Sequence, residues 1–185
     1  NKSGHYVLKD EAKTLVASVH DPDDFDFHCL VINNNLYSWA GLGNVGGNTS
    51  WIDGRSSGNG LDQDVGVYLH ELGHNLGLWH ANAWNPTSST QPDDTSGSHV
   101  EYGNEFDVMS DTWTHSREKL HFNASFKNAL DWLPSDQVQT VDGSYSGRIY
   151  AMDQTLVAGR KYALRIVVNR SLGDNSNLDY WVEHR

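Results

Sequence analysis

Short apolar runs alternate with polar, glycine-rich stretches along the chain, and the spacing within each run predicts an element. Over residues 6–20, Val7, Leu8, Leu15, Val16 and Val19 fall roughly on one side of a helix. Asp21-Pro22-Asp23-Asp24 then reads as a turn. Residues 25–33 carry Phe27, Cys29, Leu30, Val31 and Ile32, the run of a buried strand in which Cys29 is an inert buried thiol. Residues 36–40 and 49–53 predict two more strands, with the glycine-rich stretch Gly41 to Gly47 between them. A loop over 54–60 leads into a helix over 62–76, for which Asp62 can serve as N-cap. Residues 81–106 are poor in aliphatic side chains and predict an ordered surface loop. A short helix over 124–133 stops at Pro134, and strand-like runs follow at 146–152, 162–168 and 178–183. Segregated helices and strands of this kind predict an α+β fold.

The helix over 62–76 holds the chemistry. At about 100° per residue, His70 and His74 stack on one face with Glu71 beside them. Val65, Leu69, Leu72 and Leu76 fall on the opposite face and are expected to pack into a core. Two imidazoles four residues apart reach one divalent ion from adjacent turns. A catalytic zinc keeps three protein ligands and one open position, and His80 is the natural third. His80 can join only if the chain turns, and Gly77 is where it can. Glu71 is then placed as general base, taking a proton from the metal-activated water and passing it to the leaving amine. With 10 His and 17 Gly in the chain, five such fixed positions arise by chance roughly once in ten thousand such sequences.

Composition narrows the classes. A chain of 185 residues, 37% hydrophobic, suits one domain of residues 1–185 able to bury its own core. Thirteen basic against 24 acidic side chains give a formal charge of −11, which disfavours nucleic acid as a partner. No apolar run approaches the roughly 20 residues that span a bilayer. One cysteine excludes an internal disulfide. The sequence opens on Asn1 without Met or a basic-then-apolar leader, as expected of a processed mature form or of a piece expressed by itself, in either of which a signal peptide and pro-segment would not be seen.

The extended run from His70 to His80, with Asp107-Val108-Met109-Ser110 downstream as a Met-turn, resembles the metzincin zinc endopeptidases. Within that clan the chain is most similar to the gametolysin family. The similarity rests on residues 70–84, on Glu101-Tyr102-Gly103-Asn104, on Phe122-Asn123-Ala124 with Leu130-Asp131-Trp132-Leu133, and on Tyr180-Trp181-Val182-Glu183. The resemblance implies a metzincin-like zincin. Its N-terminal lobe, 1–78, has a twisted sheet and two helices. Its C-terminal lobe, 79–185, has the Met-turn, a helix and a β-rich tail from about 144. It implies a catalytic zinc on His70, His74 and His80, and an apolar floor at Met109. It implies a secreted, extracellular monomer that cleaves extracellular or cell-wall proteins. Met109 is otherwise an ordinary core methionine.

Asp111 stands where some of the clan carry a metal-reaching tyrosine, so that role does not carry over; Tyr102 is a substitute for it or a structural tyrosine. Residues 36–47 are expected to form a rim where glycines let a peptide approach. Thr112, Trp113 and Thr114 are candidates, by resemblance, for the pocket beyond the scissile bond. Asp93, Asp94, Glu101 and Asp107 offer calcium ligands without a supporting spacing, and otherwise belong to a solvated loop. His99, His115 and His121 are expected on the surface. The rival reading is a carbohydrate- or protein-binding module on a metalloprotease scaffold, motivated by the Trp- and Tyr-containing tail from residue 144.

Overall fold

The computed structural model describes residues 4–33, 38–54, 65–87, 96–111, 121–172 and 176–185. Asp62, Asp93, Asp94, Thr112, Trp113, Thr114, His115, the 55–60 part of the expected loop and the 36–37 part of the expected strand lie outside the described residues. The fold is mixed α+β, and the chain forms two compact units. One comprises Asn1–Ala83 and Val100–Leu120, the other Trp84–His99 and His121–Arg185. No helix among the described residues is long and apolar enough to cross a membrane.

The first unit is built on a three-stranded sheet. β1 (His28–Ile32) runs parallel to the central β3 (Thr49–Asp53), and β2 (Gly41–Gly43) runs antiparallel on its other side. The expected strand at 36–40 is therefore displaced: Ser38 and Ala40 are bends, and the pairing begins at Gly41. β3 is buried throughout. Its neighbours alternate between two faces, as side chains on a strand must. The register sets Gly41 against Ile52 and Gly43 against Ser50, on the face that meets α2 (Val65–Asn75). Trp51 faces the other way and donates its indole N–H to the carbonyl of His5, 2.9 Å away, in α1 (Gly4–Val16). The rings of His5 and Tyr6 pack on Trp51 at 4.9 and 5.4 Å between centroids.

Two amphipathic expectations are corrected here. α1 buries none of its residues, and Val7, Leu15, Val16 and Val19 are exposed, because the helix docks through its first turn on Trp51. α2 is turned the opposite way to the wheel reading. His70, Glu71, His74 and Asn75 are buried, whereas Val65 is 54% exposed and Leu69 and Leu72 are also exposed. The cause is β2: a strand with glycine at alternate positions admits the helix backbone closely, so α2 rests its polar side on β2 and β3. Cys29 and Val31, on the same sheet face but on β1, stay exposed; Cys29 is not the inert buried thiol expected.

β4 (Ala83–Asn85) pairs with β5 (Ser98–Val100), so the stretch 81–106 is not loop throughout. In the second unit, α3 (Ala124–Ala129) is capped by Asn123, which accepts the Phe126 N–H. It ends well before Pro134, because Asp131 takes a left-handed conformation, φ 58°. β6 (Val138–Val141) lies parallel to β7 (Ala163–Leu172), and β8 (Ser176–Glu183) antiparallel to it. Ala124, Leu133, Val138, Met152, Tyr162 and Ala163 form its core. The expected strand at 146–152 is not one. Its N–H groups bond singly, Tyr150 to Lys161 and Met152 to His184, without a ladder.

Candidate metal centre and cleft

The end of α2 follows from a glycine. Gly77 has φ 94°; its N–H bonds to the His74 carbonyl and that of Leu78 to the Gly73 carbonyl. This pair of bonds is a Schellman ending, which needs a residue tolerant of positive φ. The turn does two things. It frees residues 78–80 to fold back towards α2, and it presents the Leu78 carbonyl to His74 Nδ1 at 2.8 Å.

The three histidines converge. Ring centroids are 4.8 Å apart for His70 and His74, 4.9 Å for His74 and His80, and 5.4 Å for His70 and His80. One nitrogen from each lies within 4.8 Å of the others, a set able to hold a metal ion. Each Nδ1 already has an acceptor. His70 donates to the Val108 carbonyl at 2.9 Å, His74 to Leu78, and His80 to the Glu101 carboxylate at 2.7 Å. These acceptors have no proton to give, so Nδ1 carries the hydrogen and Nε2 keeps its lone pair. Three imidazoles in that tautomer fit a zinc ion chemically.

Glu71 is 6% exposed and sits against β2. A Cβ at Gly41 would fall within 2.8 Å of the Glu71 carboxyl carbon, and one at Gly43 within 2.9 Å of the His74 Cβ. Of the glycines expected to admit a peptide, Gly41 and Gly43 lie against the helix and the Glu71 carboxylate. Burial raises the Glu71 pKa to about 8, opposed by a hydrogen bond from the Gly43 backbone. Burial lowers that of His70 to about 4, against the Val108 carbonyl, with His74 and His80 adding to the drop. His74 is also lowered, first by burial. The metal-free chain at neutral pH therefore holds these two imidazoles neutral and Glu71 largely protonated.

Met109 is fully buried. Its N–H donates to Asp107 Oδ1 at 2.7 Å, its carbonyl accepts the Ala81 N–H at 2.9 Å, and the adjacent Val108 carbonyl orients His70. Asp107 is buried in that role and so does not belong to a solvated loop, whereas Glu101 stays largely exposed while it bonds to His80. A cleft of about 320 Å³ opens beside the helix, lined by Trp39, Gly41, Val67, His70, Glu71, Tyr102, Ser110 and Asp111 among others. Tyr102 stacks on His80 at 3.9 Å between centroids, tilted 32°. His99 packs on Trp84, and His121 is bonded to the Phe122 N–H.

The sequence pattern points to His70, Glu71, His74 and His80, and the structure brings all four together. It does not point to Glu101 as a partner of His80, nor to Gly41 and Gly43 as the seat of Glu71. The only signal for Glu101 is its place next to Tyr102 ahead of the Met-turn, which carries no fixed spacing to His80. A sequence model of gametolysin peptidase M11 matches residues 27–170. No curated protein and no solved structure matches the chain.

Proposed function

The chain belongs to the gametolysin peptidase M11 family, and from that premise of a metallopeptidase we propose a secreted zinc endopeptidase of the metzincin type. Its substrates are extracellular or cell-wall proteins, and it acts as a monomer after loss of a pro-segment. The observation that carries the reading is the cluster of three imidazoles, each with Nδ1 engaged, next to a buried carboxylate in one cleft.

His70, His74 and His80 are the zinc ligands in this reading, and Met109 lies beneath them as an apolar floor. A zinc ion held there supplies a Lewis acid that polarises the scissile carbonyl and acidifies a water. Glu71 accepts the proton of the attacking water and delivers it to the leaving amine. Its protonation at neutral pH in the metal-free chain is compatible with that role, because a carboxyl beside a dication is favoured in its ionised form. The fixed Nδ1 partners keep the imidazoles aimed, so that little orientation is left to acquire when substrate enters. The charge of −11 favours neutral or basic substrates in the approach to the cleft.

The test is cleavage of a mixed peptide library, read by mass spectrometry. Zinc-loaded protein is expected to cut internal peptide bonds, and chelation to abolish cutting until zinc is restored. Glu71→Ala is expected to bind zinc and cut at least about 10²-fold more slowly, the scale of a lost general base. Undiminished cutting by Glu71→Ala, or by chelated protein, would overturn the assignment.

A further inference from the structure

His70 and His74 are buried on a helix and bond to main-chain carbonyls, whereas His80 lies past the helix end with 22% of its side chain exposed. Its Nδ1 bond goes outside α2, to Glu101. Glu101 stands with Tyr102 in a turn distant in sequence. The Gly103 N–H closes that turn on the Val100 carbonyl, leaving Glu101 and Tyr102 as its central residues. We propose that Glu101 and Tyr102 form a clamp that positions His80 for metal: Glu101 holds the Nδ1–H, and the Tyr102 ring covers the imidazole. The proposal rests on His80 being a ligand.

Three observations carry it. Glu101 Oε1 lies 2.7 Å from His80 Nδ1, the only side-chain carboxylate among the three histidine partners. The Tyr102 ring lies 3.9 Å from that of His80 and 6.0 Å from that of His70. Tyr102 also adopts φ 60°, at the turn position where glycine or asparagine is usual. An aromatic residue held there is a local cost that the surroundings must impose. They do so at both ends. The Tyr102 N–H donates to Asn82 Oδ1 at 3.1 Å, and its carbonyl accepts from the Ser110 hydroxyl. The Asn104 N–H adds a bond to the Ala81 carbonyl at 3.0 Å. The segment 80–82 and the turn are thus laced together, with His80 between the carboxylate and the ring.

Folding alone does not explain the arrangement. Glu101 is 66% exposed in its side chain, and an ion pair at such a site contributes little to stability. A carboxylate on the far nitrogen of a metal-binding imidazole has a large effect elsewhere: its loss costs about 10- to 100-fold in metal affinity.

Zinc affinity, measured on the full chain by competition with a chromophoric chelator, tests the clamp without recourse to peptide cleavage. Glu101→Ala is expected to bind zinc about 10- to 100-fold more weakly at unchanged melting temperature. Glu101→Gln, which keeps an acceptor oxygen, recovers part of the loss. Tyr102→Gly suits the backbone and deletes the ring, so it too is expected to weaken zinc binding, whereas Tyr102→Phe binds as the parent does. With cobalt(II) in place of zinc, Glu101→Ala is expected to change the visible d–d bands, the signature of a displaced ligand. His80→Ala is the reference. If it weakens binding severely while Glu101→Ala and Tyr102→Gly match the parent, the clamp is overturned and His80 remains a ligand. If His80→Ala itself binds zinc as the parent does, the ligand assignment falls and takes the clamp with it.

Discussion

Burial moves Glu71 and its histidine neighbours in opposite directions, and pH separates them. In the metal-free chain Glu71 keeps its proton up to about pH 8, whereas the unfolded chain releases it near 4.5. The folded state binds the extra proton across that window, so stability falls as pH rises through it. His70 titrates near 4 when folded and near 6.5 when unfolded, so its contribution falls as pH drops through that window. The two offset each other between about 4.5 and 6.5, and above that Glu71 acts without His70. The chelated parent is therefore expected to lose stability from pH 6.5 to 8, by up to about 1.4 kcal/mol per pH unit. Glu71→Gln is expected to flatten that stretch. Thermal unfolding of both proteins at the two pH values decides it, and parallel losses would mean that another group titrates. These residues were legible in the sequence because a helix converts a spacing of four into one face. Glu101 was not, because a turn and a return of the chain bring it to His80, and no spacing encodes that. Read by composition, it belonged to a solvated loop.

At the level of elements, the same periodicity misled where it was read as a core. Val65, Leu69 and Leu72 do share a face of α2, as the wheel predicts, yet that face is exposed. The deciding feature is a neighbour, β2, whose two outward glycines lie under Glu71 and His74. Replacing them probes different things. The Cβ of Gly41→Ala meets the side chain of Glu71, which can swing away, so zinc affinity is expected to hold while peptide cleavage drops. The Cβ of Gly43→Ala would meet the Glu71 carbonyl at 2.6 Å and the His74 Cβ. Main chain cannot yield so easily, and a loss of about 1–3 kcal/mol is expected, with weaker zinc binding. Val65→Thr, on the exposed face, is expected to stay within about 0.5 kcal/mol of the parent. Denaturant unfolding and zinc titration of the three variants rank these sites, and the reverse order would put the core back on the leucine face. The displaced strands have a related cause. Residues 146–152 alternate as a strand should, but their hydrogen bonds go to isolated carbonyls, whereas the short run Val138–Val141 gains its identity only by pairing with β7.

Across the whole molecule, the chain crosses between its two compact units three times, and every histidine of the metal cluster belongs to the first. The second has a core of its own around Met152, Tyr162 and Ala163, closed by the bond from the Ala124 N–H to Glu183. An α+β class was readable from the segregation of periods, but this interleaving was not, since the polar stretch between β4 and β5 looks like any other loop. Its consequence is measurable. An ion that binds only the folded first unit stabilises it by mass action. Openings that disrupt the ligand set become rarer, and openings that leave it intact do not change. Hydrogen exchange with and without zinc is therefore expected to slow in peptides covering 65–83 and 100–111, with 138–141 and 162–166 little altered. The largest change is expected at 78–81, where the backbone leaves the helix and depends on single bonds to Gly73 and Met109. Equal protection of 138–141 and 162–166 would mean that the two cores open together, and that zinc stabilises the chain as one cooperative body.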